Sequence, residues 1–468
     1  MSISNLFLSA TLFVLLFVIL GDERGTYLQY AQTPLYGIIL TELALIFLNK
    51  KLKNPLIDIV NLFFIVFFIL RIPFVYGDDL ISDIYIRNVN IEKVGYALYV
   101  LNYQLIVLAG CILLLNPARY CDKISISNTV LARVLNFSAL ILILNIIRMI
   151  FFFKIGENTL PSIFNIFFAL FNHSSILIIL IPLLFCIDAT NSFKYKLLLY
   201  IQLLTCALIV MFGGSKSGLL QIFAIYLIVL MAIHGSSYKV RPSSILLVLI
   251  FLVVAIIMFL LGDIFNKIAR GQAEAVDWYQ LLKLALDNLY DVVNSVSFRI
   301  GYLDFYIDKL TQEVYSSAFQ VKYYIMAFLD AVSPGFDVFG NAPLVSRSVY
   351  NNYFGISDGP NSEAITVFAE AHQLAGFFSF MPYVFVLGIM LCLKKLSFFK
   401  QSDFSNYISK FFICYVFYRY MLGFGIDYWL FGDVLYPLLG LVLSFKVMRL
   451  HRIQNLKSPV GHIPKKDV

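Results

Sequence analysis

Three arginines interrupt stretches that are otherwise apolar: Arg71, Arg148 and Arg419. A guanidinium within hydrocarbon is costly, and such residues by default serve a substrate or a pathway. The planar fork of arginine donates two parallel hydrogen bonds and never deprotonates, which suits a phosphate or diphosphate. The structural alternative is snorkelling for Arg71 and Arg148, and an ion pair with Glu42 for Arg419. A second group is Gly213-Gly214-Ser215-Lys216-Ser217-Gly218. Its glycines permit a tight turn with exposed N–H groups and Lys216 adds a point charge, so a phosphate or sugar can dock there. The spacing is not that of a nucleotide-binding P-loop, and taken alone the segment is better explained as a hairpin turn with a snorkelling lysine. A third group is Glu370 and His372, before Gly376. Both can carry protons; on one helix Glu363 and Glu370 share a face, whereas His372 lies about 200° round from Glu370. Arg270, Arg299 and Arg347 are further cationic candidates, and Asp304 and Asp308 lie one helical turn apart.

The elements that must position these residues are membrane helices. Sixty per cent of the 468 residues are A, V, I, L, M, F, W, Y or C and 13% are charged. A soluble domain is nearer half apolar and a quarter charged, so a water-soluble globule is excluded. The 45 Phe and 29 Tyr exclude intrinsic disorder. Twelve apolar runs fall near 3–20, 34–49, 55–76, 94–115, 134–153, 162–187, 197–212, 219–235, 245–262, 371–393, 411–426 and 433–447. Several are short for a hydrocarbon core of ~30 Å and need interfacial flanking residues. Backbone groups must be satisfied within each span, and the period-2 alternation of a β-barrel is absent, so the spans are helices. The first run reads as a retained span, because no small-residue cleavage site follows it.

Twenty Lys and Arg lie in every second loop and in the tail, against five in the short loops between them. The positive-inside rule then puts both termini in the cytoplasm. The net charge of +7 therefore reflects topology, and nothing calls for nucleic acid. The fold expected is an all-α polytopic membrane protein of about twelve transmembrane helices with one large periplasmic loop. Residues 1–262 hold helices one to nine, 263–370 the loop, 371–447 helices ten to twelve, and 448–468 a basic cytoplasmic tail. Within the loop, Trp278, Leu282, Ala285, Leu289, Val293 and Val296 recur at helical spacing, which predicts an amphipathic helix on the membrane surface. The six cysteines form no CxxC and no Cys/His cluster, so neither a disulfide framework nor a thiolate metal site is expected, and no cofactor is implied.

The segment from Phe212 through Lys216 to Leu227 resembles the glycine-serine-(lysine or arginine) turn and apolar helix of bacterial O-antigen polymerases (Wzy). The Gly359-Pro360-Asn361 stretch, with Glu370 and Gly376 beyond it, resembles that family's segment after its large periplasmic loop. Lys216 stands where relatives often have arginine, and His372 where they have tyrosine. The resemblance implies an inner-membrane glycosyltransferase acting at the periplasmic face on undecaprenyl-diphosphate-linked oligosaccharide. A hydroxyl of the incoming unit attacks the anomeric carbon that joins the growing chain to its carrier, and undecaprenyl diphosphate leaves. Arg71, Arg148, Arg299 and Lys216 are then the first candidates to receive the diphosphate, with Arg270, Arg347 and Arg419 behind them. Glu370 is the first candidate for the general base and His372 the second. The resemblance also implies a chain-length regulator (Wzz) as partner. The competing readings are an O-antigen ligase and a lipid-linked oligosaccharide flippase. Against the flippase, rocking-bundle transporters usually have two similar halves and short loops.

Overall fold

The structure, a computed structural model, describes residues 2–20, 28–72, 91–121, 124–155, 170–187 except 172, 193–212, 216–239 except 236–237, 366–396, 402–426 except 424, and 429–448, with isolated positions at 283, 303, 306–307, 310, 325 and 399. These residues are almost entirely helical; a lone bridge between Ser2 and Lys239 is the one extended pairing among them. In chain order the helices are α1 (Ile3–Leu20), α2 (Leu28–Leu52), α3 (Pro55–Phe64), α4 (Ile91–Leu115), α5 (Asn128–Ile155), α6 (His173–Cys186), α7 (Phe193–Phe212), α8 (Lys216–His234), α9 (Val367–Ala375), α10 (Phe380–Lys395), α11 (Asp403–Met421) and α12 (Tyr436–Val447). Two π-helical stretches interrupt the regular geometry, Ile65–Ile69 at the end of α3 and Trp429–Leu435 before α12. Every expected apolar run overlaps one of these helices except 245–262, which lies outside the described residues.

Three of the helices are long and apolar enough to cross a membrane, over Lys93–Leu115, Asn128–Arg148 and Phe193–Val210. The bent pair α9–α10 makes a fourth if it counts as one span. Shorter apolar helices occupy Ile3–Ile19, Pro55–Ile69, Ser175–Cys186 and Ile222–His234. Large side chains such as Phe13, Leu114, Phe193 and Tyr200 stand exposed along the outside. Water would penalise that much apolar surface, whereas lipid does not.

α11 is the central element. Fifteen of its nineteen residues are buried, and it packs against α3, α6, α8 and α10. A helix segment covered on all sides has no polar face, and Phe411 to Tyr418, buried throughout, is entirely apolar or aromatic. Its start is fixed by a capping box in which Ser402 and Ser405 satisfy each other's backbone N–H. The helix therefore runs eight residues further toward its N-terminus than the expected 411–426 and stops at Met421.

The predicted tenth span also differs, because it is not straight. α9 and the turn through Phe378 meet α10 at 116°. Gly376 adopts φ +56, a left-handed value that ends α9, and Pro382 sits in the first turn of α10, where a missing N–H costs nothing. α9 begins at Val367, and Glu363 lies outside the described residues.

The basic loops gather at one end of the bundle. Ile3 donates its N–H to Tyr238 O, Cys121 to Ala232 O, and the Arg133 guanidinium bonds Met448 O. Lys394 lies within electrostatic reach of Arg119 and Lys410. Asp58, fully buried in the first turn of α3, closes a network there. It accepts from Asn49 Nδ2 at 2.6 Å and from the Tyr120 hydroxyl at 2.8 Å. Asn49 Oδ1 takes the Asn54 N–H, Asn54 caps α3 through Leu56 N, and Asn54 Nδ2 reaches Asn116. Lys53 and Asn116, both at positive φ, turn the chain after α2 and α4. Burial, and then the charge and hydrogen bond of Asp58, hold the Tyr120 phenol well above its ordinary pKa. Asp58→Ala takes the acceptor from the Tyr120 hydroxyl and from one Asn49 N–H, whose other N–H still donates to Asn54 O at 3.1 Å, at roughly 1–3 kcal/mol for each group left open. The thermal midpoint of the detergent-solubilised protein should fall clearly in Asp58→Ala and less in Tyr120→Phe. Wild-type midpoints in both would mean that this network does not hold the loops.

Candidate functional site

The short helix α9 carries Glu370 and His372, and its seat explains where they point. Thr366 caps it, accepting from Ala369 N at 3.3 Å. Thr366 and Gly423 both have left-handed φ, and the two backbones touch. A Cβ on Gly423 would come within 2.6 Å of Thr366 Cα. Phe368 meets Phe64 and Phe68 edge-on at centroid distances of 6.0 and 5.6 Å, so α9 rests on the end of α3 where the π stretch lies. Tyr306, a helical residue of the predicted large loop, is fully buried edge-on against Phe68.

Glu370 is buried, and its Oε1 accepts the Ile426 N–H at 2.9 Å. The carboxylate thus serves the chain where it turns after α11, at the start of a new helical segment. Around it lie polar groups from four other elements. Tyr383 of α10 donates to Gln104 Oε1 of α4 at 2.6 Å. Tyr383 and Tyr420 are within electrostatic reach of Glu370, as is Tyr306 of Tyr383. Gln104 Nε2 and the hydroxyls of Tyr306 and Tyr420 are buried with no hydrogen-bond partner among the described residues. Such orphaned atoms are uncommon in a packed interior and mark a place where water or a ligand group belongs.

His372 faces elsewhere, as the helical phase requires. Its ring stands edge-on to Tyr96 at 6.4 Å and to Phe377 at 6.2 Å, in a half-exposed position. The Gly376 backbone bonds to the imidazole, and Nδ1 has no hydrogen-bond partner among the described residues. Tyr103 donates its hydroxyl to Phe377 O at 2.6 Å and steadies the bend beneath the ring.

Two of the predicted arginines adjoin this neighbourhood. Arg71 is 4% exposed and follows the π stretch, three residues beyond Phe68. Arg419 precedes Tyr420 in the last turn of α11 rather than at mid-helix. It pairs with Asp433, not Glu42: Nε lies 2.7 Å from Asp433 Oδ1. The reason is topological, because the chain reverses after α11 and brings the second π stretch alongside it. The Trp429 indole N–H donates to Val416 O at 2.7 Å and locks that reversal. Glu42 is fully buried in α2, and neither of its oxygens has a hydrogen-bond partner among the described residues.

Two further candidates lie on other helices. Arg148 lies on α5, which packs against α7. Lys216 opens α8 instead of preceding it, so Lys216, Ser217 and Gly218 belong to the helix and not to a hairpin turn. Arg270, Arg299, Arg347, Asp304, Asp308 and nearly all of the predicted amphipathic helix lie outside the described residues. Among the described residues no three His, Cys, Asp or Glu converge to hold a metal ion. No family model, curated protein or solved structure matches this chain.

The residues that sequence reasoning passed over are Gln104, Tyr306, Tyr383, Tyr420 and Asp433. The tyrosines sit among many aromatics and carry no spacing signal. Asp433 did carry one, as a carboxylate opening an apolar run fourteen residues after an intramembrane arginine. Gly423→Ala should push α9 off its seat and break the bond from Ile426 to Glu370. The expected reading is a lowered thermal midpoint, and the left-handed strain alone costs roughly 1–2 kcal/mol. Gly388→Ala, at a site with no atom within 4 Å of the added Cβ, is the control. Equal midpoints for the two variants would contradict the close approach of Gly423 and Thr366.

Proposed function

We propose that this chain is an inner-membrane glycosyltransferase of the O-antigen polymerase type, with both termini cytoplasmic and its working face periplasmic. One observation carries the reading. Glu370, His372, Arg71 and Arg419 sit at the ends of helices α3, α9 and α11 that lie furthest from the basic loops. Under the positive-inside rule that end is the outer one, where a lipid-linked diphosphate is accessible.

The chemistry then follows from what each group can do. A hydroxyl of the incoming lipid-linked unit attacks the anomeric carbon of the growing chain. A new glycosidic C–O bond forms while the C–O bond to the carrier diphosphate breaks, and the hydroxyl proton passes to a base. His372 is the candidate for that role: its ring is half-buried beside the bend, and the enclosed Nδ1 has no hydrogen-bond partner among the described residues, so the ring must turn to meet a hydroxyl. Glu370 is enclosed and already accepts a backbone N–H, so it organises the turn that presents His372 and Arg419. Arg71 and Arg419 neutralise the leaving diphosphate in a low-dielectric setting, and Arg148, Arg299, Arg270, Arg347 and Lys216 stay as further cationic candidates. The incoming unit and the bilayer are the partners this requires, with a chain-length regulator implied by the family resemblance.

A strain lacking the gene should show lipopolysaccharide core capped by a single repeat unit, with the ladder restored by the wild-type gene. Bare core alone would move the protein to ligation or flipping, and an unchanged ladder would remove it from this assembly. In the complemented strain His372→Ala should cut polymerisation by about 10²- to 10⁴-fold. Glu370→Gln, which keeps an oxygen acceptor for Ile426 N–H, should leave most activity in place. The reverse order of effects would make Glu370 the base.

The transport reading has one observation in its favour, the enclosed Glu42 carboxyl in the middle of α2, since intramembrane carboxyls often serve ion-coupled pathways. Glu42→Gln separates the two: a polymerase keeps its ladder in this variant, and a coupled flippase loses all repeat-unit-capped core.

A further inference from the structure

Asp433 is a buried carboxylate with no part in the chemistry above, and it makes a poor stabilising pair with Arg419. One oxygen accepts from Arg419 Nε at 2.7 Å; the other, Oδ2, is buried with no hydrogen-bond partner among the described residues. The contact is single-point rather than the two-pronged fork that offsets desolvation most effectively. Two ions taken out of water at such a contact are usually no more stable than two apolar residues of like size. Stability is therefore a weak reason for the pair.

Its surroundings fit a different role. Asp433 lies within the π stretch Trp429–Leu435, and helical insertions of this kind re-aim side chains and cluster at functional sites. That stretch is fixed to α11 by the indole bond to Val416 O, one turn before Arg419. Tyr420 packs edge-on against Trp429 at 5.5 Å. The carboxylate is thus held rigidly beside the arginine and grips it by Nε, the edge furthest along the chain from the terminal amino groups.

We propose that Asp433 is a positioning residue, which keeps the Arg419 guanidinium aimed to receive a diphosphate ester at the outer end of α11. This rests on the polymerase-type reading for the source of the ester, a polyprenyl carrier. In an empty site a guanidinium not held at Nε has more freedom to turn toward water or the interface. The paired one stays in place, with its orientation set before the ligand arrives.

The experiment uses the full chain in lipid nanodiscs, with undecaprenyl diphosphate as probe and undecaprenol as its uncharged control. The variants are Asp433→Asn, Asp433→Glu and the apolar double variant Arg419→Met/Asp433→Leu. Asp433→Asn should weaken diphosphate binding by roughly tenfold, the loss expected for a charge-assisted contact, and leave undecaprenol binding unchanged. Asp433→Glu should recover most of the affinity. The double variant should keep the wild-type thermal midpoint and lose its preference for diphosphate over undecaprenol. The proposal is overturned if Asp433→Asn binds like wild type, if the double variant keeps its diphosphate preference, or if wild type shows none. It is overturned too if Asp433→Asn lowers the midpoint and weakens both lipids alike, since that is what a purely structural pair would do. Diphosphate binding that depends on Asp433 in a protein whose deletion leaves the ladder intact would end the polymerase reading while the positioning role stands. A lost ladder with Asp433→Asn indistinguishable from wild type would do the opposite.

Discussion

A buried carboxylate in low dielectric has to be satisfied, and Glu370 finds its donor in the backbone N–H of Ile426. That bond ties α9 to the reversal after α11, beside the close backbone approach of Thr366 and Gly423. The consequences spread from there. α9 lies on the end of α3 through Phe368, α10 leaves it at a sharp angle, and Tyr383 is carried to Gln104 on α4. Around α11, three different elements meet at one end of the bundle, joined by this contact, by the Tyr383–Gln104 and Tyr103–Phe377 bonds and by the glycines that allow the turns. Gly423 and Gly376 are required for positions that a Cβ would oppose, one by collision with Thr366 and the other by its left-handed φ.

Much of this arrangement was legible in the residues, and the misses have physical causes. Hydrophobic run length identifies helices well, because a chain in lipid has few alternatives for its backbone. The same argument is blind to bends. The run 371–393 reads as one apolar span, yet the left-handed Gly376 divides it, since run length records burial and not direction. It is blind at the ends as well: Ser402 and Ser405 start α11 far earlier than hydropathy does, by local hydrogen bonding alone.

At the site, His372 and Glu370 were read correctly as facing apart, because helical phase depends only on spacing. The partner of Arg419 was not legible in the same way. Glu42 and Asp433 are both carboxylates in apolar surroundings, and choosing between them requires knowing that the chain reverses directly after α11. The pairing is set by tertiary topology, and only Asp433 lies close enough in sequence to follow from a simple hairpin. Tyr306 illustrates the opposite limit. Nothing in the composition of the long segment between the ninth and tenth expected spans singles out one tyrosine that ends fully buried against Phe68.

The two polar centres of this bundle differ in a way that separates scaffold from site. Around Asp58 the accounting closes. Both carboxylate oxygens are used, Asn49 and Asn54 spend their donors and acceptors on each other and on the loop backbone, and Tyr120 donates. Such a network rigidifies what it touches and has nothing left to offer a ligand. Around Glu370 it stays open: Gln104 Nε2, the Tyr306 and Tyr420 hydroxyls, His372 Nδ1 and Asp433 Oδ2 all lack hydrogen-bond partners among the described residues. Each open group costs stability if it remains so, and evolution could close them with apolar substitutions of similar shape. These five are not the whole set, since Ser4 Oγ, Glu42, Asn61 Oδ1, Asn102 Oδ1, Ser379 Oγ and Tyr407 OH are buried orphans elsewhere; what distinguishes the five is that several elements bring them to the end that also carries Arg71 and Arg419, so the polar groups left open there come from different parts of the chain.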